Sequence, residues 1–246
     1  MATYDLIGDA YDLVYPDTNA RVPFVKDILK KFGKQTVLEL GIGSGLFAIP
    51  LHESNFDIEG LEISEVMIDV VRKKAPALRV HQGDIRHFAL EKRYEAIIAL
   101  SSILVLVSDH QEIKQCLQCA YEHLEPQGLF LLELPNHRVE IAQSNNSQEV
   151  HTSDGNGTVV VIQSTLEDQL WTESWHIFRQ GENGFSYEKV LCQELVCSPD
   201  ILIEQLEEVG FELIDEYGDL LGNPFDAGSS WRRVLICKKK GIKGAR

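Results

Sequence analysis

The chain has 246 residues, 44% of them apolar and 25% charged, the proportions of an ordinary globular protein, which excludes a disordered or fibrous chain. Lysine and arginine number 23 against 38 acidic residues, a net charge of −15. So acidic a surface repels phosphate backbones and anionic lipid, so neither nucleic acid nor a membrane surface is an expected partner.

At roughly 100–200 residues per domain, with an α/β domain able to reach ~250, the length reads as a single domain over residues 1–246. The start, Met1-Ala2-Thr3-Tyr4-Asp5, lacks the basic-then-apolar pattern of a signal peptide. No stretch approaches the ~18 apolar residues of a membrane span, so a cytoplasmic location is expected. Five cysteines, an odd number in a long chain, suit free thiols rather than a disulfide framework. Cys116 and Cys119 form a C-x-x-C inside a helical pattern with no second Cys or His pair nearby. They read as buried core, and no metal site is expected.

In chain order, residues 1–35 read as N-terminal cap helices. The clearest covers 21–32, where Val22, Val25, Ile28, Leu29 and Phe32 recur at helical spacing before Gly33. A β-rich run at 36–40 ends in Gly41-Ile42-Gly43-Ser44-Gly45 and continues into an apolar helix. Strands are then predicted at 57–63, 79–83 and 94–101, a helix at 65–74, another at about 111–124, and a strand at 128–134 after the turn Glu125-Pro126-Gln127-Gly128. Alternation of this kind implies a mainly parallel sheet with helices on both faces.

Residues 136–197 break the rhythm. Runs at 158–166, 170–179 and 185–197 read as successive strands, the last two joined by Gly181-Glu182-Asn183-Gly184, so an antiparallel hairpin insertion is expected here. Ser198 reads as the N-cap of a helix with Pro199 at its first position and Gly210 at its end. Strands at 211–217 and 231–238 close the sheet, and residues 238–246 read as a solvated basic tail.

In an open α/β sheet, ligands bind beyond the carboxyl ends of the strands, where glycine lets the backbone approach closely. Gly41, Gly43 and Gly45 stand there. Residue 46 is Leu rather than the third glycine of a dinucleotide fingerprint, and no Gly-Lys-Ser/Thr follows, which weakens pyrophosphate-binding readings. Glu39, two residues before Gly41, favours a cationic ligand. Glu62, at the end of the second strand, suits two ribose hydroxyls. Gly83-Asp84-Ile85, at the end of the third, offers an acceptor for an exocyclic amine and an apolar face for a purine.

Together these segments resemble the class I S-adenosylmethionine-dependent methyltransferases from about residue 36 to the C-terminus. Val37-Leu38-Glu39-Leu40-Gly41-Ile42-Gly43-Ser44-Gly45 is similar to their first motif. Gly60-Leu61-Glu62-Ile63-Ser64 followed by Met67 is similar to the second, and Gly83-Asp84-Ile85 to the adenine motif. The resemblance implies a Rossmann-like seven-stranded fold with S-adenosyl-L-methionine as cofactor. Glu39 and the glycines would lie near its methionine part, Glu62 on the ribose, and Asp84 and Ile85 at the adenine, with Ile63 and Met67 also among the cofactor-binding residues. Ala99 and Leu100 would line the pocket.

Ala99-Leu100-Ser101-Ser102-Ile103 lacks the Asn/Asp-Pro-Pro-Tyr/Phe signature of many base and protein-amide methyltransferases. A small-molecule acceptor is therefore expected, an amine first and a hydroxyl second, with a non-catalytic cofactor-binding protein as the alternative from another class. The segment from Tyr4 to Tyr15 is similar to the leading segment of small-molecule and amino-sugar N-methyltransferases, which puts Tyr11 and Tyr15 over cofactor and substrate; they read equally as core aromatics of a docking helix. The loop Gly218-Asp219-Leu220-Leu221-Gly222-Asn223-Pro224-Phe225 also looks like one common in that group. Methyl transfer from a sulfonium needs alignment and exclusion of water more than acid–base chemistry. His137 and His110 are candidate bases, each also readable as a loop or helix-start histidine. Trp171 and Trp175 share a face of a flap strand, to pack the flap or line an acceptor pocket. The flap could serve as a lid or as the surface of a homodimer.

Overall fold

A computed structural model describes residues 6–7, 10–15, 20–153, 157–181 and 184–241. Tyr4, the hairpin tip at Glu182 and Asn183, and the tail beyond Gly241 lie outside them. Seven strands form the main sheet: β1 (Thr36–Leu40), β2 (Asp57–Glu62), β3 (Arg79–Gln82), β4 (Tyr94–Ala99), β5 (Leu124–Pro135), β10 (Phe211–Tyr217) and β11 (Arg232–Lys239). Their order is β10-β11-β5-β4-β1-β2-β3. The pairs from β5 through β3 are parallel, and β11 runs antiparallel to both β5 and β10. The order reverses beside β1, so a crevice opens above the carboxyl ends of β1 and β4.

Side-chain alternation within these strands builds two core layers. Leu38, Leu40, Ile97, Ala99, Phe130 and Leu132 face the helices α5 (His110–His123) and α7 (Pro199–Val209). Val37, Ala96, Ile98, Leu129 and Leu131 face α2 (Val22–Lys31), α3 (Ala48–Glu53) and α4 (Glu65–Lys74). Such near-continuous apolar strands are what a sheet covered on both faces requires. At the opposite ends of the strands from the crevice, buried Glu59 accepts from Tyr94 Oη (2.9 Å) and Lys92 Nζ (2.9 Å) and pairs with Arg79 (2.7 Å) and His81 (2.7 Å). Although burial opposes the charge, these partners hold its carboxyl down at about 2.

The insertion is a separate antiparallel sheet of β6 (Gln148–Thr152), β7 (Thr158–Glu167), β8 (Leu170–Gly181) and β9 (Gly184–Leu195), preceded by α6 (His137–Ser144). Its inner face, Val160, Ile162, Trp175, Ile177, Val190 and Cys192, closes on Ile7 and on Ala10 and Val14 of α1 (Ala10–Val14).

Several expectations change. α6 and β6 have no counterpart in the sequence reading, because polar residues surround the helix and mark the strand. Residues 125–128 are not a free turn but an irregular stretch of β5, where pairing jumps from Tyr94↔Leu124 to Ala96↔Leu129. Ser198 occupies the N-cap position of α7 without a side-chain capping bond. Lys238 and Lys239 belong to β11 rather than to a solvated tail. Lys239 is buried, its ammonium donating to the carbonyls of Tyr121 (2.5 Å) and Leu124 (2.9 Å) over the Tyr121 ring. Cys116 and Cys119 are buried in the core, where desolvation pushes the Cys116 thiol up to about 12.

Candidate active site

The glycine turn after β1 is set by backbone geometry. Gly41, Gly43 and Gly45 have φ of +65°, +55° and +85°, a region costly for residues with a Cβ. A Cβ on Gly41 would lie 2.4 Å from Ile103 and one on Gly45 2.7 Å from Ile49. Gly45 therefore serves packing of the turn on α3, and only Gly41 and Gly43 reach the crevice. Glu62 locks the turn to the second strand end: Oε2 accepts from Gly43 N (2.9 Å), and Oε1 from Ile63 N (3.0 Å) and Ser64 N (2.9 Å). The Ser64 hydroxyl then caps α4 by accepting from Met67 N (3.1 Å).

At the third strand end, Asp84 accepts from Arg86 N (2.9 Å) and from the Arg86 guanidinium (2.5–3.0 Å), whose other arm donates to Glu112 on α5 (2.6 Å). The Arg86 fork holds the Asp84 carboxyl below its ordinary value. The sequence reading passed over Arg86, although its position two residues after the aspartate suits such a fork.

These groups line one cavity of about 540 Å³. Its walls include Gly41, Gly43, Glu62, Ile63, Met67, Asp84, Ile85, Arg86, Leu100 and Tyr11. Nine of the twelve residues expected around the cofactor line this cavity, and Glu39, Gly45 and Ala99 do not. Gly45 packs on Ile49; Ala99 faces the α5 layer and is fully buried in the core; Glu39 lies beneath the turn, 3% exposed and outside the lining of this cavity. Burial raises the Glu39 carboxyl to about 8 despite a bond from the Ala48 amide, and Oε2 has no hydrogen-bond partner.

A second cavity of about 500 Å³ adjoins the first at Tyr11, Ser101 and Cys192. Its rim residues Ser101 and Ser102 hold φ of +53° and +64°, left-handed for non-glycine residues, as strained backbone at functional sites is. Both are pinned: Ser101 N donates to Glu133 Oε2 (2.8 Å), and Arg232 donates to Ser102 Oγ (2.8 Å) and Glu133 Oε1 (3.4 Å). Tyr11, Tyr15 and Trp175 form an aromatic wall, with ring centroids 4.9, 6.5 and 6.1 Å apart. Burial raises the Tyr11 hydroxyl to about 12, and burial with the nearby Glu173 raises Tyr15 as well, so both stay protonated near neutrality. Arg21 lines this cavity over the Phe47 ring (5.3 Å). Asp219, Leu220 and Leu221, from the loop after β10, close the far side.

This second cavity holds five carboxylates, Glu133, Glu140, Glu173, Glu194 and Asp219, against Arg21 and Arg232. Burial raises Glu140 to about 7, with the charge on Glu194 adding to it, and raises Glu173 too. Trp175 lines the cavity and donates to Glu173 (3.0 Å), whereas Trp171 is buried and lines neither cavity. His137 is buried at the start of α6 and lines neither cavity; its Nε2 stands 3.6 Å from Glu194 and 4.0 Å from Glu140. His110 is further removed, 3.8 Å from the Cys197 sulfur. The acidic wall escaped the sequence reading because α6, β5, β8 and β9 supply it from distant parts of the chain.

Residues 37–128 match the family model described as a methyltransferase domain. Over these residues the chain carries a methyltransferase domain. It is 29% identical over 132 residues to the dTDP-3-amino-3,4,6-trideoxy-alpha-D-glucopyranose N,N-dimethyltransferase of Streptomyces venezuelae, an alignment covering 51% of this chain and 56% of that one. The alignment thus spans little more than half of that relative. With the glycine/sarcosine N-methyltransferase of Halorhodospira halochloris it shares 27% over 225 residues, 88% of this chain and 81% of the relative. A solved S-adenosylmethionine-dependent methyltransferase from Clostridium acetobutylicum superposes with a TM-score of 0.84 at 14% identity, over 98% of this chain and 100% of that one, a likeness of fold. The fit to the family cofactor is supported by the glycine turn that a Cβ would block and by the carboxylate at the second strand end. No described helix of the chain is long and apolar enough to cross a membrane.

Proposed function

We propose that this methyltransferase moves a methyl group from S-adenosylmethionine to the amine nitrogen of a small polar molecule bound in the acidic cavity. The observation that carries the reading is the excess of carboxylates there, five against two arginines, directly beside the cavity built from the three motif-bearing strand ends. A cationic ligand is favoured by such a wall, and an anionic or neutral hydroxyl acceptor gains nothing from it. Both relatives aligned above bear N-methyltransferase names.

When bound, the cofactor supplies an electrophilic methyl on a sulfonium. The chain's own residues orient and deprotonate. Glu62 would take the ribose hydroxyls, Asp84 held by Arg86 the adenine edge, and Tyr11 with Ser101 the junction through which the acceptor nitrogen reaches the methyl. The amine must be uncharged to attack, so an acceptor arriving as an ammonium passes one proton to the carboxylate wall. Tyr11 and Tyr15, which stay protonated, act as walls and donors rather than bases, and His137 is separated from the cavity by Glu140 and Glu194.

The test is methyl transfer from labelled S-adenosylmethionine to matched pairs of small amines and their hydroxyl analogues. Labelling of amines alone, lost in a Glu173→Gln and Glu194→Gln double variant that still binds S-adenosylhomocysteine, is the expected result. Labelling of hydroxyl analogues with the amines inert would overturn the assignment.

A further inference from the structure

We propose that His137, Glu140 and Glu194 form a site for one divalent first-row transition-metal ion at the edge of the acidic cavity, clamping α6 to flap strand β9. The proposal stands whatever the acceptor. His137 and Glu140 are one helical turn apart on α6, and Glu194 comes across from the last flap strand. One ligand atom from each lies within 4.8 Å of both others. His137 is 5% exposed, and its Nε2 has no hydrogen-bond partner although it points at two carboxylates; Glu140 Oε2 is likewise buried without one. The His137 to Glu194 distance of 3.6 Å exceeds a hydrogen bond, and a buried polar atom left that way needs an explanation.

An ion supplies it. With metal–nitrogen and metal–oxygen bonds of about 2.0–2.2 Å, tetrahedral ligand atoms stand about 3.4 Å apart. The observed 3.6 and 4.0 Å therefore need only a small inward movement of two carboxylates on flexible stems. One imidazole with two carboxylates suits Zn²⁺ or Co²⁺ better than Mg²⁺, which prefers oxygen and water throughout. Glu173 lies outside this group of converging ligand atoms and accepts from the Trp175 indole instead. Glu140 and Glu194 line the cavity, so the remaining coordination position faces the space where an acceptor sits. An ion that binds only the folded arrangement stabilises it by mass action.

Chelator-treated full-length protein, titrated calorimetrically with Zn²⁺ and followed spectroscopically with Co²⁺, tests this. Expected are one equivalent bound at micromolar or tighter affinity, a raised melting temperature, visible Co²⁺ bands of a low-symmetry N/O site, and no response to Mg²⁺. Affinity should fall at least tenfold in Glu194→Gln and in His137→Asn, with S-adenosylhomocysteine affinity retained as the check on folding; Glu140→Gln replaces either variant that fails that check. Absence of Zn²⁺ binding by the unsubstituted protein, or equal binding by the variants through other histidines among the eight in the chain, would overturn it.

Discussion

Glu62 carries two duties that a single substitution separates. Its oxygens bind three backbone amides and lie in the cavity wall, so Glu62→Gln removes charge while keeping shape. Hydrogen bonds to charged groups are worth about 1.5–3 kcal/mol, which predicts a roughly ten- to hundredfold loss of S-adenosylhomocysteine affinity by calorimetry; unchanged affinity would remove Glu62 from the site. Glu39 gives a pH signature. Its carboxyl is raised to about 8 by burial, so at pH 6 it is protonated. The folded state therefore holds a proton that the unfolded chain, with its carboxyl at about 4.3, has released, so this residue's contribution to stability falls as pH rises from about 5 to 8. Denaturant titrations should show that decline shrink in Glu39→Gln. An equal decline in the two proteins would count against a buried, protonated carboxyl at this position. At this scale the sequence was legible where chemistry is local: Glu62 and Asp84 stand next to their turns. Ser101 and Ser102 were not, since nothing in a serine pair announces a positive φ, and Arg86 was passed over.

Among the elements, the glycine turn is the most constrained. Gly41→Ala places a Cβ 2.4 Å from Ile103 at a φ of +65°, so strain and overlap together should cost about 2–4 kcal/mol, read as a lower melting temperature with weakened cofactor binding. A neutral Gly41→Ala would mean that Ile103 and the turn move freely. The turn, β1, β2, β4 and α2 were readable because periodicity and glycine spacing act within a few residues. The flap was read only in part. Its long strands alternate visibly, and buried Trp175 shows why, but the β7–β8 turn at Asp168 and Gln169 takes positive φ without glycine. Helix α6 is held largely by tertiary contacts, with Asn136 donating to Ala227 and Ser230 carbonyls from the far end of the chain.

Across the whole molecule, stability and function occupy opposite ends of the sheet. Glu59, at the end away from the cavities, keeps its carboxyl at about 2 through His81, Lys92 and Tyr94. A carboxyl depressed below its unfolded value of about 4.3 stabilises the fold above that pH and loses the contribution as pH falls toward 2. Glu59→Gln should lower stability by about 1–3 kcal/mol near neutrality, as losing hydrogen bonds to a charged group does, and flatten the decline between pH 5 and 2. Denaturant titrations across that range check both, and a variant as stable and as acid-sensitive as the unsubstituted protein would count against the cluster. At the other end, the two cavities meet at Tyr11, Ser101 and Cys192, one built by three strand ends and the other by carboxylates gathered from across the chain. The sequence showed the first because its motifs are contiguous, and not the second, whose members meet only in the fold. The account rests most directly on calorimetric titration of the purified protein with S-adenosylmethionine and S-adenosylhomocysteine, with NADH as the comparison ligand. One equivalent of each adenosyl ligand bound at micromolar affinity, with no heat from NADH, is the predicted result; no binding of either adenosyl ligand would contradict it.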